Sequence, residues 1–469
     1  MVIRSSTLVI GGARSGVGKT SVTLALVAAL RSQGLAIQTF KVGPDFLDPT
    51  YLSRASGRPC YNLDGWMMGA AAVRSSFASR APVADLSVVE GAMGLFDGAD
   101  PHDGEGSTAE IATLLRVPIL LVVDAQGMSR SIAALVKGYA EFDPCARIVG
   151  IILNRVGSPR HASWLEESLR AHLLPPVVGA IPTGALPALP HRHLGLTSAD
   201  DNTLPQAVLA QLAEAAKAYL KIDVILSLAE QAGTTEVPDS GVPEPRLARP
   251  RVGVARDRAF HFYYQDNLDA LAARAELIEF SPLVDERLPD RLDLLYLGGG
   301  YPELHATELA ANKPMRKAVR TFADQGGAIY AECGGLLYLA HSLQCLDGSN
   351  HEMVGLLPAR VRMTSRRAAL GYVEASPIAP ALLGPAGAAI RGHEFHYSTL
   401  DCEPEVLPSS WSRAYRLQRR RTAAVEEEGF MRGNLFASYV HAHFATRSDV
   451  LDHLLRRCSR ARTEQGITP

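Results

Sequence analysis

The sequence carries almost no net charge, no cysteine spacing suited to a metal, no internal repeat or low-complexity tract, and no apolar run long enough to cross a bilayer. Each absence excludes something. With 47 Lys and Arg against 49 Asp and Glu, and a formal charge of -2, the chain is not built to coat a polyanion, so no nucleic-acid partner is expected. A local basic pocket can still sit inside a balanced total. The six cysteines, at 60, 145, 333, 345, 402 and 458, are scattered, and no charged-then-apolar leader precedes the first strand. Reduced thiols and a cytoplasmic location are therefore expected. The longest apolar runs, such as VPILLVVDA at 117 to 125, suit buried parallel strands, and no membrane partner is expected.

What is present is material for two cores. A chain of 469 residues exceeds one ordinary hydrophobic core, and 47% hydrophobic with 20% charged residues gives no signature of disorder. Short apolar runs alternate with helical patterns from the start: TLVIG, a helix from about Gly18, IQTFKV, LSVVEG, PILLVVDA, IVGIILN and VVGAIP. That rhythm predicts an α/β domain over 1–233, built on a largely parallel sheet flanked by helices in the manner of a P-loop NTPase. Residues 234–250, within AGTTEVPDSGVPEPRLARP, read as a linker. RVGVAR, AELIEF, LDLLYLGGG and GAIYAECGG restart the rhythm, so 251–469 is expected to be a second α/β domain. Its stretch from about 353 to 440 is glycine- and proline-punctuated and leans toward β, which predicts a mixed-sheet excursion before a final helix at about 447 to 457.

IGGARSGVGKTS sits where a first strand turns into a first helix, the context a phosphate-binding loop requires. Glycines such as Gly16 and Gly18 let backbone N–H groups close on phosphate oxygens. Lys19 would reach the terminal phosphates, and Thr20 or Ser21 would offer a hydroxyl to Mg²⁺. The spacing departs from the usual pattern, since five residues separate Gly12 from Gly18 and Ala13 fills the expected glycine position. Asp45 and Asp48 follow the second strand, and Glu90 and Asp97 the third, at the strand ends where an open parallel sheet forms its ligand crevice. Carboxylates there suit Mg²⁺, a hard cation that prefers oxygen.

Cys333, in AECGG between an apolar strand and the helical LLYLAHSL, would stand on a tight strand-to-helix turn. Such an elbow exposes the sulfur, and the N–H of Gly334 can face a developing oxyanion, with a second donor from the glycines of LGGGYPE, Gly299 among them. A thiol nucleophile needs a base. His441, in LFASYVHAHF, is the first candidate and His443 its rival, because alternate residues of a strand share a face.

With those residues in place, the chain resembles the cobyrinic acid a,c-diamide synthase family, in which a dethiobiotin-synthetase-like ATPase domain is joined to a class I-type glutamine amidotransferase domain. The likeness runs along nearly the whole chain, through GGARSGVGKT, KVGPDFLDPTYL, YNLDGWM, VEGAMGLFDG, LNRVGS, RHLGL, LGGGYPELHA, AECGGLLYL, LGYVE, RGHEFHYS and SYVHAHF. The resemblance implies that Cys333 and His441 release ammonia from L-glutamine while Lys19, Thr20, Asp45 and Glu90 hold ATP and Mg²⁺. It implies that Asn154 contacts the nucleotide base and that Asp48 and Asp97 are acids on the side of the substrate or intermediate. In the broader class I amidotransferases a glutamate stands two residues past the catalytic histidine; here that position is His443.

The implied chemistry is ATP-dependent amidation of the a and c acetates of cobyrinic or hydrogenobyrinic acid in cobalamin biosynthesis. A carboxylate resists ammonia until ATP converts it to an acyl phosphate, and that intermediate must be kept from water, so a protected ammonia path from Cys333 to the phosphate loop is expected. A polycarboxylate tetrapyrrole also calls for arginine clamps, with Arg360, Arg362, Arg366 and Arg391 as candidates, whereas RLQRRRT at 416 to 422 reads as exposed charge. Related amidases act on siroheme or sirohydrochlorin-type rings with the same motifs, and Phe46 and Leu47, in the loop expected near the substrate, give no code for ring identity. A partition-type ATPase switch would share the phosphate loop but has no use for a thiol elbow with a histidine. A cobyric acid synthase is disfavoured by the shorter chain and by KVGPDFLDP. The sequence leaves the order of the two amidations and the oligomeric state, a homodimer included, open.

Overall fold

A computed structural model describes residues 2–3, 5–189, 191–192, 195–196, 203–233, 235–236, 249–402, 407–420 and 424–464. The chain divides into two compact units, Met1–Gly241 and Val242–Pro469. Of the expected linker, residues 234 and 237–248 lie outside the described set, and Thr235–Glu236 pair antiparallel with Val2–Ile3. His193 and Leu194 of the RHLGL segment also lie outside it.

The first unit is the expected α/β layer structure. Strands β1 (Thr7–Gly12), β2 (Ile37–Val42), β3 (Tyr61–Leu63), β4 (Leu86–Glu90), β5 (Ile119–Asp124), β6 (Ile148–Val156) and β7 (Val177–Pro182) form one sheet in the order β3-β2-β4-β1-β5-β6-β7. Every ladder in it is parallel. Such a sheet is covered on both faces, so its strands read as nearly continuous apolar runs and send alternate side chains to two cores. Leu8 and Ile10 join one core with Val22, Leu26 and Leu30 of helix α1 (Lys19–Ser32) and with Leu209 and Leu212 of the later helix Gln206–Tyr219; Val9 points the other way, to Phe40, Phe77, Leu121 and Ile132. This packing fixes the carboxyl ends of β1, β2 and β4 side by side, where the phosphate loop, Asp45 and Glu90 emerge.

In the second unit β8 (Arg251–Ala255), β9 (Glu276–Phe280), β10 (Leu294–Leu297) and β11 (Ala328–Glu332) form the parallel core of a six-stranded sheet, closed by the hairpin Phe430–Arg432 and Leu435–Ser438 in the order β9-β8-β10-β11-(435–438)-(430–432). The β-leaning stretch folds into two further sheets. One, of five antiparallel strands, contains Ala369–Pro377, Ile390–His396, Tyr415–Arg419 and, at its edge, the two-residue strand His441–Ala442. The chain therefore leaves the central sheet at Ser438, paired with Glu332, and enters the antiparallel one at His441, paired with His393. The final helix runs over Ser448–Glu464 and is longer than expected. Among the described residues no helix is long and apolar enough to cross a membrane, and Cys60, Cys145, Cys333, Cys345 and Cys402 are free thiols.

Candidate active sites

The phosphate loop is shaped by glycine and held from β6. Gly18 caps α1 at φ 94° and ψ 24°, and a Cβ on it would lie 2.3 Å from the Asn154 amide nitrogen. A side chain there would meet both backbone strain and a clash. Asn154 donates to the Val17 carbonyl at 2.8 Å and Arg155 to the Gly16 carbonyl at 3.0 Å, so two neighbours on β6 clamp the loop. Lys19 donates to the carbonyl of Met93, a residue at φ 45° in the loop after β4. Burial foremost, and then the neighbouring Lys41 charge, lowers the Lys19 pKa.

Beside the loop lies a buried charge cluster. Glu90 Oε1 accepts from the Thr20 hydroxyl at 2.8 Å and from Lys41 Nζ at 2.9 Å, and Lys41 also lies 2.7 Å from Asp48 Oδ2. Burial would lower Lys41, but the Asp48 and Glu90 carboxylates overcome it and hold the amine firmly protonated. Burial likewise pushes Glu90 up to about 7 and, with Asp48 beside it, Asp45 up to about 8. For Asp48 burial acts upward too, yet Lys41 prevails and holds it below the usual carboxylate range. Asp45 caps its own turn, accepting from Leu47 N at 2.9 Å. Asp97 stands apart from the cluster and accepts from Gly94 N at 2.8 Å.

These residues fit a Mg²⁺ site. Glu90 Oε2 is buried with no hydrogen-bond partner, next to the Thr20 hydroxyl that shares the same carboxylate. Among the described residues no three acids, histidines or cysteines form a ready cage. Mg²⁺ takes few protein ligands and completes its shell with water and phosphate oxygens.

The thiol centre is built on backbone strain. Cys333 sits at φ 43° and ψ -99° between β11 and the short helix Gly334–Leu339, with its N–H held by Ser438 O at 2.8 Å. A cysteine at positive φ is uncommon and stores strain on the order of 1–3 kcal/mol, which surrounding structure must impose. The glycines are required by close approach: a Cβ on Gly335 would lie 2.2 Å from the Leu297 carbonyl, and one on Gly334 would lie 2.9 Å from Gly300 N. The same loop touches the histidine, since a Cβ on Gly299 would lie 2.3 Å from His441 Cε1. The glycine loop after β10 thus stands against both the elbow and the imidazole. Gly299 directs its own N–H to Phe262 O at 3.3 Å, leaving Gly300 N as the amide nearest Gly334.

His441 and His443 have different surroundings. The edge strand ends at Ala442, and the His443 ring packs on Tyr264, 4.9 Å between centroids, with Nδ1 accepting from Ala445 N at 3.3 Å. Burial, reinforced by His393 and His396, lowers His441 to about 3 and keeps it neutral. Burial above all, then the charge of Glu303, pushes the Cys333 thiol well up. At rest Cys333 is therefore a thiol and His441 a neutral imidazole, with Sγ 3.9 Å from Phe395 O.

Of the four candidate clamps, Arg360 and Arg366 are exposed, Arg362 pairs with Asp401 at 2.7 Å, and Arg391 lies 3.8 Å from Glu374. The reading of 416 to 422 as exposed charge needs correction at Arg419, which binds the buried Glu394 at 2.7 Å. Residues 421 and 422 lie outside the described set. Lys41 and Arg419 are among the charged residues that sequence reasoning missed; a lysine inside the apolar run IQTFKV was the available signal for the first.

Comparison with known proteins bears on both units. Residues 8–196 match the CobQ/CobB/MinD/ParA nucleotide binding domain, and residues 251–449 match the CobB/CobQ-like glutamine amidotransferase domain. A cobyrinate a,c-diamide synthase of Syntrophotalea carbinolica is 53% identical over 94% of this chain and 96% of its own. Those of Leptospira interrogans, at 41% over 98% of this chain and 100% of theirs, and of Priestia megaterium, at 40% over 98% of each, are similar along the same span. Matched in both units and along nearly its whole length, the chain belongs to the cobyrinate a,c-diamide synthase family.

Proposed function

We propose that this protein amidates the a and c acetate side chains of a cobyrinate-type macrocycle, taking nitrogen from glutamine and energy from ATP. The observation that carries the reading is the strained Cys333 turn beside a glycine loop that also abuts His441, in one chain with a phosphate loop.

In the amidotransferase unit neutral His441 takes the Cys333 proton as the sulfur attacks the glutamine carboxamide carbon. The N–H groups of Gly334 and Gly300, with Gly299 shaping the loop, receive the oxyanion. The tetrahedral adduct collapses to a thioester, His441 returns the proton, and ammonia leaves. Water, activated by the same imidazole, then hydrolyses the thioester to glutamate and restores the thiol.

In the first unit an acetate oxygen attacks the γ-phosphorus of ATP and ADP departs, giving an acyl phosphate. Ammonia adds to its carbonyl and inorganic phosphate leaves. Lys19 and the N–H groups around Gly16 and Gly18 stabilise the phosphates, while Asn154 holds the loop and is assigned the nucleotide base. Thr20, Glu90 and Asp45 would hold Mg²⁺, which when bound supplies charge neutralisation along the triphosphate. Asp97, outside the Lys41 cluster, is assigned to the substrate side; Asp48 serves the cluster first.

The cytoplasmic setting and a homodimer belong to this proposal as well. The test is a panel: cobyrinic acid, hydrogenobyrinic acid and siroheme, each incubated with ATP, Mg²⁺ and glutamine and scored by mass. Two successive amidations of a cobyrinic-type acid are expected, and amidation of siroheme alone would overturn the assignment in favour of the siroheme reading.

A further inference from the structure

The imidazole of His441 lacks the glutamate two residues on that orients such a base elsewhere, and the strand that carries it is two residues long and lies at a sheet edge. On one side, His443 N donates to Arg391 O at 3.1 Å in the ladder with Ile390–His396. Ala442, between the two histidines, turns its own N–H and C=O away from that ladder. Unpaired backbone groups in a buried place need partners. Two buried side chains supply them. Glu332 accepts the Ala442 N–H at 3.1 Å, and Asn267 donates its amide to the Ala442 carbonyl at 2.8 Å while accepting from Phe444 N at 2.9 Å. Glu332 and Asn267 are 2% and 1% exposed, so water offers no substitute. Glu332 is itself fixed, receiving the Tyr330 hydroxyl at 2.6 Å and the Tyr296 hydroxyl at 2.9 Å. It is also the residue immediately before Cys333.

We propose that Glu332 and Asn267 are positioning residues for the glutaminase step, clamping Ala442 so that His441 is held in register with the Cys333 turn. Neither touches glutamine; both act through the backbone. The proposal rests on Cys333 and His441 being the reacting pair.

A displacement of about 1 Å in a catalytic group is enough for losses of about 100-fold. Glu332→Leu, which keeps volume but removes the acceptor, is expected to lower glutaminase kcat about 50-fold or more, with KM for glutamine within about 3-fold and ammonia-driven amidation within about 2-fold. Glu332→Gln, whose carbonyl can still accept the Ala442 N–H, should stay within about 5-fold of the unaltered enzyme. Asn267→Ala, which leaves the elbow strand intact, should lower kcat about 10-fold at similar KM and keeps the test available if E332L does not fold. E332Q falling as far as E332L, kcat of E332L or N267A remaining unchanged, or KM rising in place of a fall in kcat would each overturn the clamp. His441→Ala separates the two failures. An active H441A sinks the pair itself, whereas an inactive H441A beside normal E332L and N267A variants sinks the clamp alone.

Discussion

Lys41 Nζ and Glu90 Oε1 meet at 2.9 Å inside the first unit, on the carboxylate oxygen that also accepts the Thr20 hydroxyl at 2.8 Å. The lysine couples the phosphate-loop helix to the acidic strand ends, and its side chain is only 4% exposed. Removing one partner of a buried ion pair leaves the others uncompensated, which destabilises by about 3–5 kcal/mol. Lys41→Met should therefore lower stability by that order in chemical denaturation; a loss under about 1 kcal/mol would show that Glu90 and Asp48 do not depend on it.

The buried thiol gives a labelling prediction. Cys145 is exposed, while Cys333 is buried with its pKa raised and His441 is held neutral. A thiol resists alkylation until it becomes thiolate. Iodoacetamide at neutral pH should mark Cys145 well before Cys333, as read by peptide mass, and a glutamine-shaped electrophile should reverse the order. Faster iodoacetamide labelling of Cys333 would mean a preformed ion pair.

Strain at the turn can be measured by substitution. Replacing alanine by glycine inside a structured element ordinarily destabilises by about 0.5–1 kcal/mol. At φ 43° the balance changes, because glycine accepts the backbone and alanine does not. Cys333→Gly should be at least as stable as Cys333→Ala in thermal melts, whereas a glycine variant less stable by more than about 1 kcal/mol would contradict the strain.

Burial pushes Glu332 up to about 7 from an ordinary 4.5, against hydrogen bonds from Tyr330, Ala442 and Tyr296 that pull it down. The folded state then binds this proton more tightly than the unfolded chain. Its contribution to stability is complete below pH 4.5 and is lost as pH rises through about 7. At about 1.4 kcal/mol per pH unit the loss is on the order of 3 kcal/mol. Glu332→Gln, fixed in the neutral form, should show a flatter fall in stability between pH 5 and pH 8; parallel curves for the two proteins would refute the shift.

The α/β fold was legible because it rests on local rhythm: TLVIG followed by GKTS, and GAIY followed by CGG, are strand-turn-helix patterns complete within about fifteen residues. What was not legible depends on distant partners. Arg419 looks solvated in sequence and is half-buried because Glu394, from another strand of its sheet, meets it. Gly299 and Gly300 differ by one position, and only the bridge to Phe262 shows which amide is engaged. His441 and His443 would share a face in a long strand, but this one stops at Ala442. Glu332 carried no signal beyond its place beside the cysteine.

In the proposed reaction Cys333 supplies ammonia to chemistry driven at Lys19. The most direct test replaces Cys333 with alanine and measures ATP-dependent amidation of a cobyrinic-type acid with glutamine or with ammonium, beside Lys19→Ala. C333A is expected to lose glutamine-driven amidation by more than about 100-fold and to keep ammonium-driven amidation, while K19A loses both. Glutamine-driven amidation persisting in C333A would contradict it.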